Sequence, residues 1–278
     1  MKKLIIFMLL LVFNVRAFGG LAVSGDGRIK VGPDFEEDFL HGLPQYSVDE
    51  ENPIALAVPL NYTGYSSRIS LEGNVIAGQL FNINENEIWM DWRGAIWEQI
   101  QVIDDTPFYS DALLLPSLEN WMPNCLHDMS MNGKYIVGHC EDNQQYKAVY
   151  WDENREVHSL GSMYYDSLLY CYSSAGAVSD DKIILGSAYG EGAASSLGFI
   201  WDEQNGMRYV KDVLEQEYGC DFGDSVLEDA GFADPDGTII KGSGHTSTGD
   251  TFFWTATIPE PGTVMLLALG GLFLRKRR

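Results

Sequence analysis

The residues best suited to chemistry are two cysteines and two histidines on either side of one predicted turn. They occur as Cys125-Leu126-His127 and His139-Cys140, and Asn132-Gly133 forms the tip between them. Counting outward from this tip in antiparallel register places Cys125 opposite Cys140. Opposite Cα atoms in a hairpin lie about 4.5–5.5 Å apart, within the disulfide range of about 4.4–6.8 Å. The spacing therefore predicts a Cys125–Cys140 disulfide.

Zinc is the alternative ligand for this group, because two thiolates and two imidazoles match a tetrahedral site. The disulfide is favoured if the chain is exported, since compartments outside the cytoplasm are oxidising. Cys171 and Cys220 could then pair by elimination, but the sequence leaves their pairing open. Neither a metal ion nor another cofactor is predicted.

Acidic residues are the other abundant chemical group, with 40 Asp and Glu in the chain. A glycosidase needs two carboxylates about 5–5.5 Å or about 6.5–9.5 Å apart. So many acids do not single out one pair, and solvated turns account for doublets such as Asp104-Asp105 and Asp180-Asp181. The G-x-S-x-G, H-E-x-x-H and Walker motifs do not occur in the sequence. No catalytic residue is therefore predicted.

A repeat organises the middle of the chain. A turn that starts with Ser or Asp, a β-prone run and a closing glycine recur at 24–32, 70–78, 130–138, 179–186 and 234–242. Four copies are followed by a β-prone run that ends at a tryptophan, namely Trp97, Trp151, Trp201 and Trp254. The first copy lacks this tryptophan. A third β-prone element follows two of the tryptophans, at 156–161 and 206–210.

Each repeat predicts a small antiparallel meander that cannot bury its own faces, so several must pack together. One stretch differs: Val213, Leu214 and Tyr218 have helical spacing and Gly219 is a stop signal, which predicts a short helix over 210–218. The predicted fold class is all-β, with about five propeller-like antiparallel units and one inserted helix.

The repeated residues resemble the HAF repeat of bacterial extracellular proteins. The resemblance covers about 24–257, is best from 130 to 254, and includes the run GMRYVKDVL at 206–214. It implies a β-propeller-like fold. In such a ring, the N-terminal hairpin could close the structure by pairing with the C-terminal strand around Phe253.

The first residues predict a secretory signal peptide over 1–17. Lys2 and Lys3 precede an apolar run from 4 to 15, and Ala17 is a suitable cleavage position. The alternative is an uncleaved membrane-anchoring helix, but the apolar run is short and Arg16 ends it.

The last twenty residues, 259–278, form a separate tail. Pro259-Glu260-Pro261 precedes thirteen uncharged residues and the basic cluster Arg275-Lys276-Arg277-Arg278. Thirteen helical residues span roughly 20 Å, less than the ~30 Å hydrocarbon core of a bilayer. This order resembles the PEP-CTERM sorting signal of Gram-negative bacteria. The resemblance implies recognition by an exosortase-like membrane processing enzyme and transient contact with the membrane. A plain membrane anchor is the alternative.

The charge of residues 18–260, which we call the body of the protein, limits the partners that it can bind. Residues 18–260 contain 11 basic and 40 acidic side chains, a net charge of −29, which repels nucleic acid. The sequence thus predicts an exported cell-surface or extracellular-matrix protein, with 18–258 as a non-enzymatic binding or structural domain. Extracellular polysaccharide is the candidate ligand, and Tyr164, Tyr165, Tyr170 and Tyr172 are candidates for stacking on sugar rings. The alternative is a secreted carbohydrate-active hydrolase with acidic residues at a propeller mouth.

Overall fold

The computed structural model describes residues 22–32, 43–49, 51–83, 89–119, 124–142, 145–232, 234 and 237–258. The predicted signal peptide with Ala17 and the tail at 259–278 lie outside these residues. The described chain forms five antiparallel sheets that follow one another in sequence, which confirms the predicted fold class. It divides into two compact units, Met1–Leu160 and Gly161–Arg278.

The first unit contains three sheets. Sheet 1 consists of β1 (Ala22–Val23), β2 (Ile29–Val31), β3 (Gln45–Val48) and β4 (Ile54–Ala55). Sheet 2 consists of β5 (Tyr62–Ile69), β6 (Val75–Ile83), β7 (Trp89–Ile103), β8 (Thr106–Tyr109) and β9 (Leu113–Leu114), with β8 and β9 both paired to β7. Sheet 3 consists of β10 (Asn124–Met129), β11 (Ile136–Asp142), β12 (Gln145–Trp151) and β13 (Val157–Ser159).

The second unit contains two sheets and the predicted helix. Sheet 4 consists of β14 (Met163–Tyr165), β15 (Leu168–Val178), β16 (Ile184–Gly190), β17 (Leu197–Asp202) and β18 (Gly206–Tyr209). Helix α1 (Val210–Tyr218) follows and ends at Gly219, whose φ of 70° is the left-handed cap expected of glycine. Sheet 5 consists of β19 (Val226–Leu227), β20 (Gly231–Phe232), β21 (Ile239–His245) and β22 (Thr251–Thr257).

Two apolar cores hold the sheets of the first unit together. Ile29, Tyr46, Leu80 and Trp97 belong to the core between sheets 1 and 2. The second core joins sheets 2 and 3 and includes Ile96, Leu126 and Trp151. The meanders therefore stabilise one another by packing face to face, as expected of units that cannot bury their faces alone.

The side chain of the first residue of the repeat stabilises the hairpin tip. Its oxygen accepts a hydrogen bond from a main-chain N–H at the start of the next strand, in the pairs Ser24–Ile29 (3.0 Å), Ser70–Val75 (3.1 Å), Ser130–Tyr135 (3.0 Å) and Asp234–Ile239 (2.7 Å). In those four copies a glycine lies three residues after the capping residue, and its φ is between 70° and 77°. The tip motif is therefore explained by side-chain capping and a left-handed position.

Consecutive tips of the first unit are joined by main-chain hydrogen bonds. The N–H of Gly25 donates to the C=O of Leu71 over 2.7 Å, and the N–H of Leu71 donates to the C=O of Met131 over 2.6 Å. All three residues directly follow the capping serine of their own repeat. The repeated tip therefore also fixes the position of each sheet relative to the next.

A β-bulge lies three residues before the capping serine in three repeats. The extra residues are Ser67, His127 and Gly176. Across the strand pair, the closing glycine lies so near a main-chain oxygen that a Cβ would have no room. A Cβ would lie 2.1 Å from Tyr65 O at Gly78, 1.8 Å from Cys125 O at Gly138 and 2.2 Å from Ser174 O at Gly186. The closing glycine is required by this close approach.

The tryptophans of repeats two, three and four occupy equivalent positions. Trp97, Trp151 and Trp201 pair with Ile76, Ile136 and Ile184 and are all buried. The Nε1 groups of Trp97 and Trp151 donate to the main-chain oxygens of Ala57 and Pro116, each over 2.7 Å. Each of these indoles thereby fastens the segment that leads into its own sheet.

The last tryptophan does not occupy the position that the repeat predicts. Trp254 pairs with the closing glycine Gly242, so it lies two residues out of step with the other tryptophans. The N-terminal hairpin belongs to a four-stranded sheet, in which Ser47 occupies the tryptophan position opposite Lys30. Around Phe253, β22 pairs with β21 in the described chain.

The close approach at Gly138 predicts a large effect of adding one methyl group. Gly138→Ala should lower the free energy of unfolding by about 3 kcal/mol, because the strands must separate to admit a Cβ that would otherwise lie 1.8 Å from Cys125 O. Urea unfolding measures the change. Gly176→Ala is the matched control, since no heavy atom lies within 4 Å of its Cβ position. Equal stability of the two variants would contradict the steric explanation.

Candidate functional site

The bulge at His127 decides where the cysteines lie. The predicted register holds from the tip to Asp128, which pairs with Val137 as counted. Beyond the bulge it shifts by one residue, so Cys125 pairs with His139 and Asn124 pairs with Cys140. A one-residue shift moves a side chain to the other face of the sheet. The predicted Cys125–Cys140 disulfide is therefore absent, because the two thiols lie on opposite faces.

All four cysteines are unpaired in the structure, including Cys171 and Cys220. The structure therefore does not support a disulfide between Cys171 and Cys220. Cys140 is buried in the core between sheets 2 and 3, whereas Cys125 lies on the face that carries His139. This separation also prevents both cysteines and both histidines from binding one zinc ion.

Cys125 lies on the same face of sheet 3 as a group of polar rings, because it pairs with His139. The ring centroids of His127 and His139 lie 4.9 Å apart, and those of His139 and Tyr146 lie 5.0 Å apart, both edge to face. Glu141 pairs with Tyr146 across β11 and β12. We call these five residues the sheet 3 histidine cluster.

Burial controls protonation in this cluster. It raises the pKa of the Cys125 thiol to about 12, with smaller contributions from Glu141 and Cys140. It also lowers the pKa of His139 well below 6.5, and the neighbouring His127 adds to this effect. Desolvation raises the pKa of the Glu141 carboxyl. The cluster therefore favours uncharged groups, and a protonated thiol is neither a good nucleophile nor a metal ligand.

One group in the described chain brings three metal-binding atoms together. The ligand atoms of Asp152, Glu156 and His158 lie within 4.8 Å of one another, and His158 Nε2 lies 2.9 Å from Asp152 Oδ2. Sheet 4 has an ion pair at the same repeat position, with Arg208 Nη2 2.8 Å from Asp202 Oδ2. In both repeats the aspartate after the tryptophan contacts a basic residue six positions later. A structural contact therefore explains the Asp152–His158 pair.

The tyrosines that the sequence suggested for sugar stacking divide into exposed and structural residues. Tyr164 is 77% exposed and pairs with Leu169 on the solvent face of sheet 4. Tyr170 is buried, and the ring of Tyr165 packs edge to face on Tyr209 at 4.8 Å. Only part of the predicted group is therefore accessible.

The accessible group continues onto β16. Tyr172 pairs with Tyr189, their ring centroids lie 6.5 Å apart, and Tyr189 is 44% exposed. The hydroxyl of Tyr189 donates to the C=O of Ala193 over 3.1 Å, which restrains its ring. We call Tyr164, Leu169, Tyr172 and Tyr189 the sheet 4 aromatic surface. Tyr189 was not identified from the sequence. The only signal that its side chain faces solvent is its position next to buried Gly190 on a strand.

The tail is matched by a known sorting signal. The family model described as the PEP-CTERM protein-sorting motif matches residues 257–278, which confirms that part of the sequence prediction. The motif implies that the protein is exported, is sorted at the cell envelope, and carries the recognition signal for an exosortase-like processing system. Pro259, Glu260, Pro261 and the basic residues Arg275, Lys276, Arg277 and Arg278 lie within this match but outside the described residues.

Outside the tail, this chain resembles known proteins only distantly. No curated protein matches the sequence. Solved structures with similar folds include a TolB candidate from Agrobacterium tumefaciens, with TM-score 0.49 and 10% identity over 86% of this chain and 76% of that chain. TolB from Acinetobacter baumannii gives TM-score 0.41 and 15% identity over 77% of this chain and 46% of its own. The described residues contain no helix long and apolar enough to cross a bilayer.

The register shift predicts the behaviour of the thiols. Intact-mass analysis without reductant should show four unpaired cysteines, because Cys125 and Cys140 lie on opposite faces of the sheet. At pH 8, Cys125 should be alkylated more slowly than the same thiol in urea, because its folded pKa of about 12 leaves little thiolate. A Cys125–Cys140 peptide in a non-reducing digest would contradict the register.

The sheet 3 histidine cluster predicts pH-dependent stability. Below pH 6.5 the unfolded chain binds a proton at His139 that the folded chain excludes, so stability should fall as pH decreases. The slope should reach at most about 1.4 kcal/mol per pH unit for this one proton. His139→Gln should reduce the slope measured by urea unfolding between pH 6.5 and 5.

Glu141 provides the control, because its raised pKa acts in the opposite direction. The folded chain retains this proton at a higher pH than the unfolded chain does, so stability from Glu141 is lost as pH rises through the folded pKa. Glu141→Gln should therefore steepen the loss of stability on acidification. An unchanged slope in His139→Gln would show that another group is responsible.

Proposed function

We propose that this protein is a non-enzymatic binding protein of the bacterial cell surface or extracellular matrix that holds neutral polysaccharide on the sheet 4 aromatic surface. The observation that supports the ligand is the 77% exposure of Tyr164 beside Leu169 on a paired strand, where the register holds both side chains toward solvent. Aromatic faces on a rigid sheet offer flat apolar area to a sugar ring with little loss of side-chain entropy.

The charge of the body supports a neutral ligand. A net charge of −29 over 18–260 disfavours anionic polymers, including nucleic acid and acidic polysaccharide. Stacking on tyrosine needs no charge on the ligand. Binding should therefore depend little on salt concentration.

The tail supplies the route to this location. In our proposal an exosortase-like enzyme removes the tail after export. The last described hydrogen bond of the fold joins the N–H of Ile258 to the C=O of Thr238 over 2.7 Å, and Ile258 is 8% exposed. Cleavage beyond Ile258 would leave all the described strands intact.

A glycan array with the full-length protein, followed by affinity measurements, tests the ligand. Tyr164→Ala should weaken binding to the best neutral glycan by about fivefold or more, which corresponds to about 1 kcal/mol. Phe253→Ala is the matched control, because Phe253 is also an exposed aromatic residue but lies on sheet 5. Equal loss in both variants, or no glycan bound, would contradict the proposed surface. Turnover of a bound glycan would instead support the hydrolase.

A further inference from the structure

In the described residues, sheet 5 differs from sheets 3 and 4 because its tryptophan-bearing strand, β22, has no outer strand paired with it. Sheets 3 and 4 each add an outer strand after the tryptophan-bearing strand, β13 in sheet 3 and β18 in sheet 4. In the described residues, no strand pairs with the corresponding edge of β22. The chain instead passes directly from β22 into the tail.

The main-chain groups on this edge can be identified from the hydrogen-bond pattern. Thr246 N–H donates to Asp250 O over 2.9 Å, and Ile258 N–H donates to Thr238 O over 2.7 Å. Hydrogen-bonded pairs alternate along antiparallel strands, so every second residue between these two pairs faces away from β21. The N–H and C=O groups of Phe253 and Thr255 therefore point to the open edge.

In sheet 3, the outer strand β13 covers the positions that correspond to Phe253 and Thr255. Counted from the closing glycines, Ala148 and Tyr150 correspond to Phe253 and Thr255. Leu160 N–H, just beyond β13, donates to Ala148 O over 3.0 Å. Ala148 is fully buried, whereas Phe253 is 88% exposed. Among the described residues, the open edge of β22 thus combines main-chain groups that no other strand pairs with and a large exposed ring.

The sequence of β22 does not protect this edge against strand addition. Natural edge strands are often short, charged or interrupted by proline. The seven residues of β22, TFFWTAT, include no charge and no proline. An extended segment of another chain could therefore pair there, even though the body as a whole is strongly acidic.

The position of the sorting motif indicates which partner reaches the edge. The matched motif begins at Thr257, which is the last residue of β22. Phe253 lies only four residues earlier, about 13 Å along an extended strand. An enzyme that grips the motif is therefore held beside the open edge without a spacer.

We propose that the exosortase-like processing enzyme adds an extended segment antiparallel to β22, in the place that β13 and β18 take in their sheets, with apolar contact on Phe253. The docking surface consists of the outward main-chain groups of Phe253 and Thr255 together with the Phe253 ring. This proposal rests on the proposed processing of the tail. It makes the folded body, and not the tail alone, part of the substrate.

Processing of the full-length protein by a co-expressed exosortase-like enzyme tests this docking, with intact mass as the readout. Thr255→Pro removes one outward N–H and no hydrogen bond to β21, so it should slow processing by about fivefold or more. Thr255→Ala keeps the N–H and should process within about twofold of the wild-type rate. Equal rates for the two variants would overturn the docking. A wild-type protein that is never processed would overturn the proposed processing itself.

Two further measurements exclude misfolding and other partners. Phe253→Lys leaves the backbone donors in place but puts a charge on the edge, and it should slow processing while thermal unfolding stays within a few degrees of the wild type. A photo-crosslinking residue at position 253 should give a product with the enzyme. A crosslink to a second copy of this chain, or a Phe253→Lys variant that is processed at the wild-type rate, would overturn the proposal.

Discussion

The structure depends on the close approach of one strand to the closing glycine of the next. At Gly138 the main-chain oxygen of Cys125 occupies the space that a side chain would need, and the same contact recurs at Gly78 and Gly186. This approach accompanies a bulge in the partner strand, which changes the register between the tip and the rest of the hairpin. One small residue therefore determines which side chains of the preceding strand face the core.

The consequence for chemistry is clearest in sheet 3. Without the bulge at His127, Cys125 and Cys140 would share a face and a disulfide would be geometrically reasonable. With it, Cys140 packs in the apolar core while Cys125 joins a group of rings whose burial favours their neutral forms. The two cysteines are thus separated instead of linked, and only Cys125 belongs to the sheet 3 histidine cluster.

Much of the fold was predictable because the signals are local. A capping serine and a left-handed glycine specify each tip, and helix α1 ends at Gly219 as its sequence indicates. The failures concern features set by tertiary contact. The register beyond Asp128 depends on a β-bulge, and no Gly, Pro or Asn at the bulged residue or on either side of it marks its position. The closing glycine on the opposite strand recurs in the repeats and could have indicated the bulge.

The candidate sites were less predictable for a related reason. Four tyrosines close together in sequence suggested one stacking surface, but strand alternation buries Tyr170 and replaces it with Tyr189 from the neighbouring strand. Trp254 matched the repeat by residue type, yet its pairing with Gly242 shows that it fills a different position. Residue type reveals the repeat, whereas pairing decides which face each residue occupies.

In the sequence, the last sheet of the repeat array is followed by the sorting motif. An internal sheet can use residues after its tryptophan for an outer strand, as β13 and β18 show. The last sheet cannot do this within the described chain, because the residues that follow Ile258 belong to the sorting motif. Using the same residues both to complete sheet 5 and to engage a membrane enzyme would force the two roles to compete. In our proposal an open β22 edge avoids this competition, because the enzyme that recognises the tail supplies the missing strand.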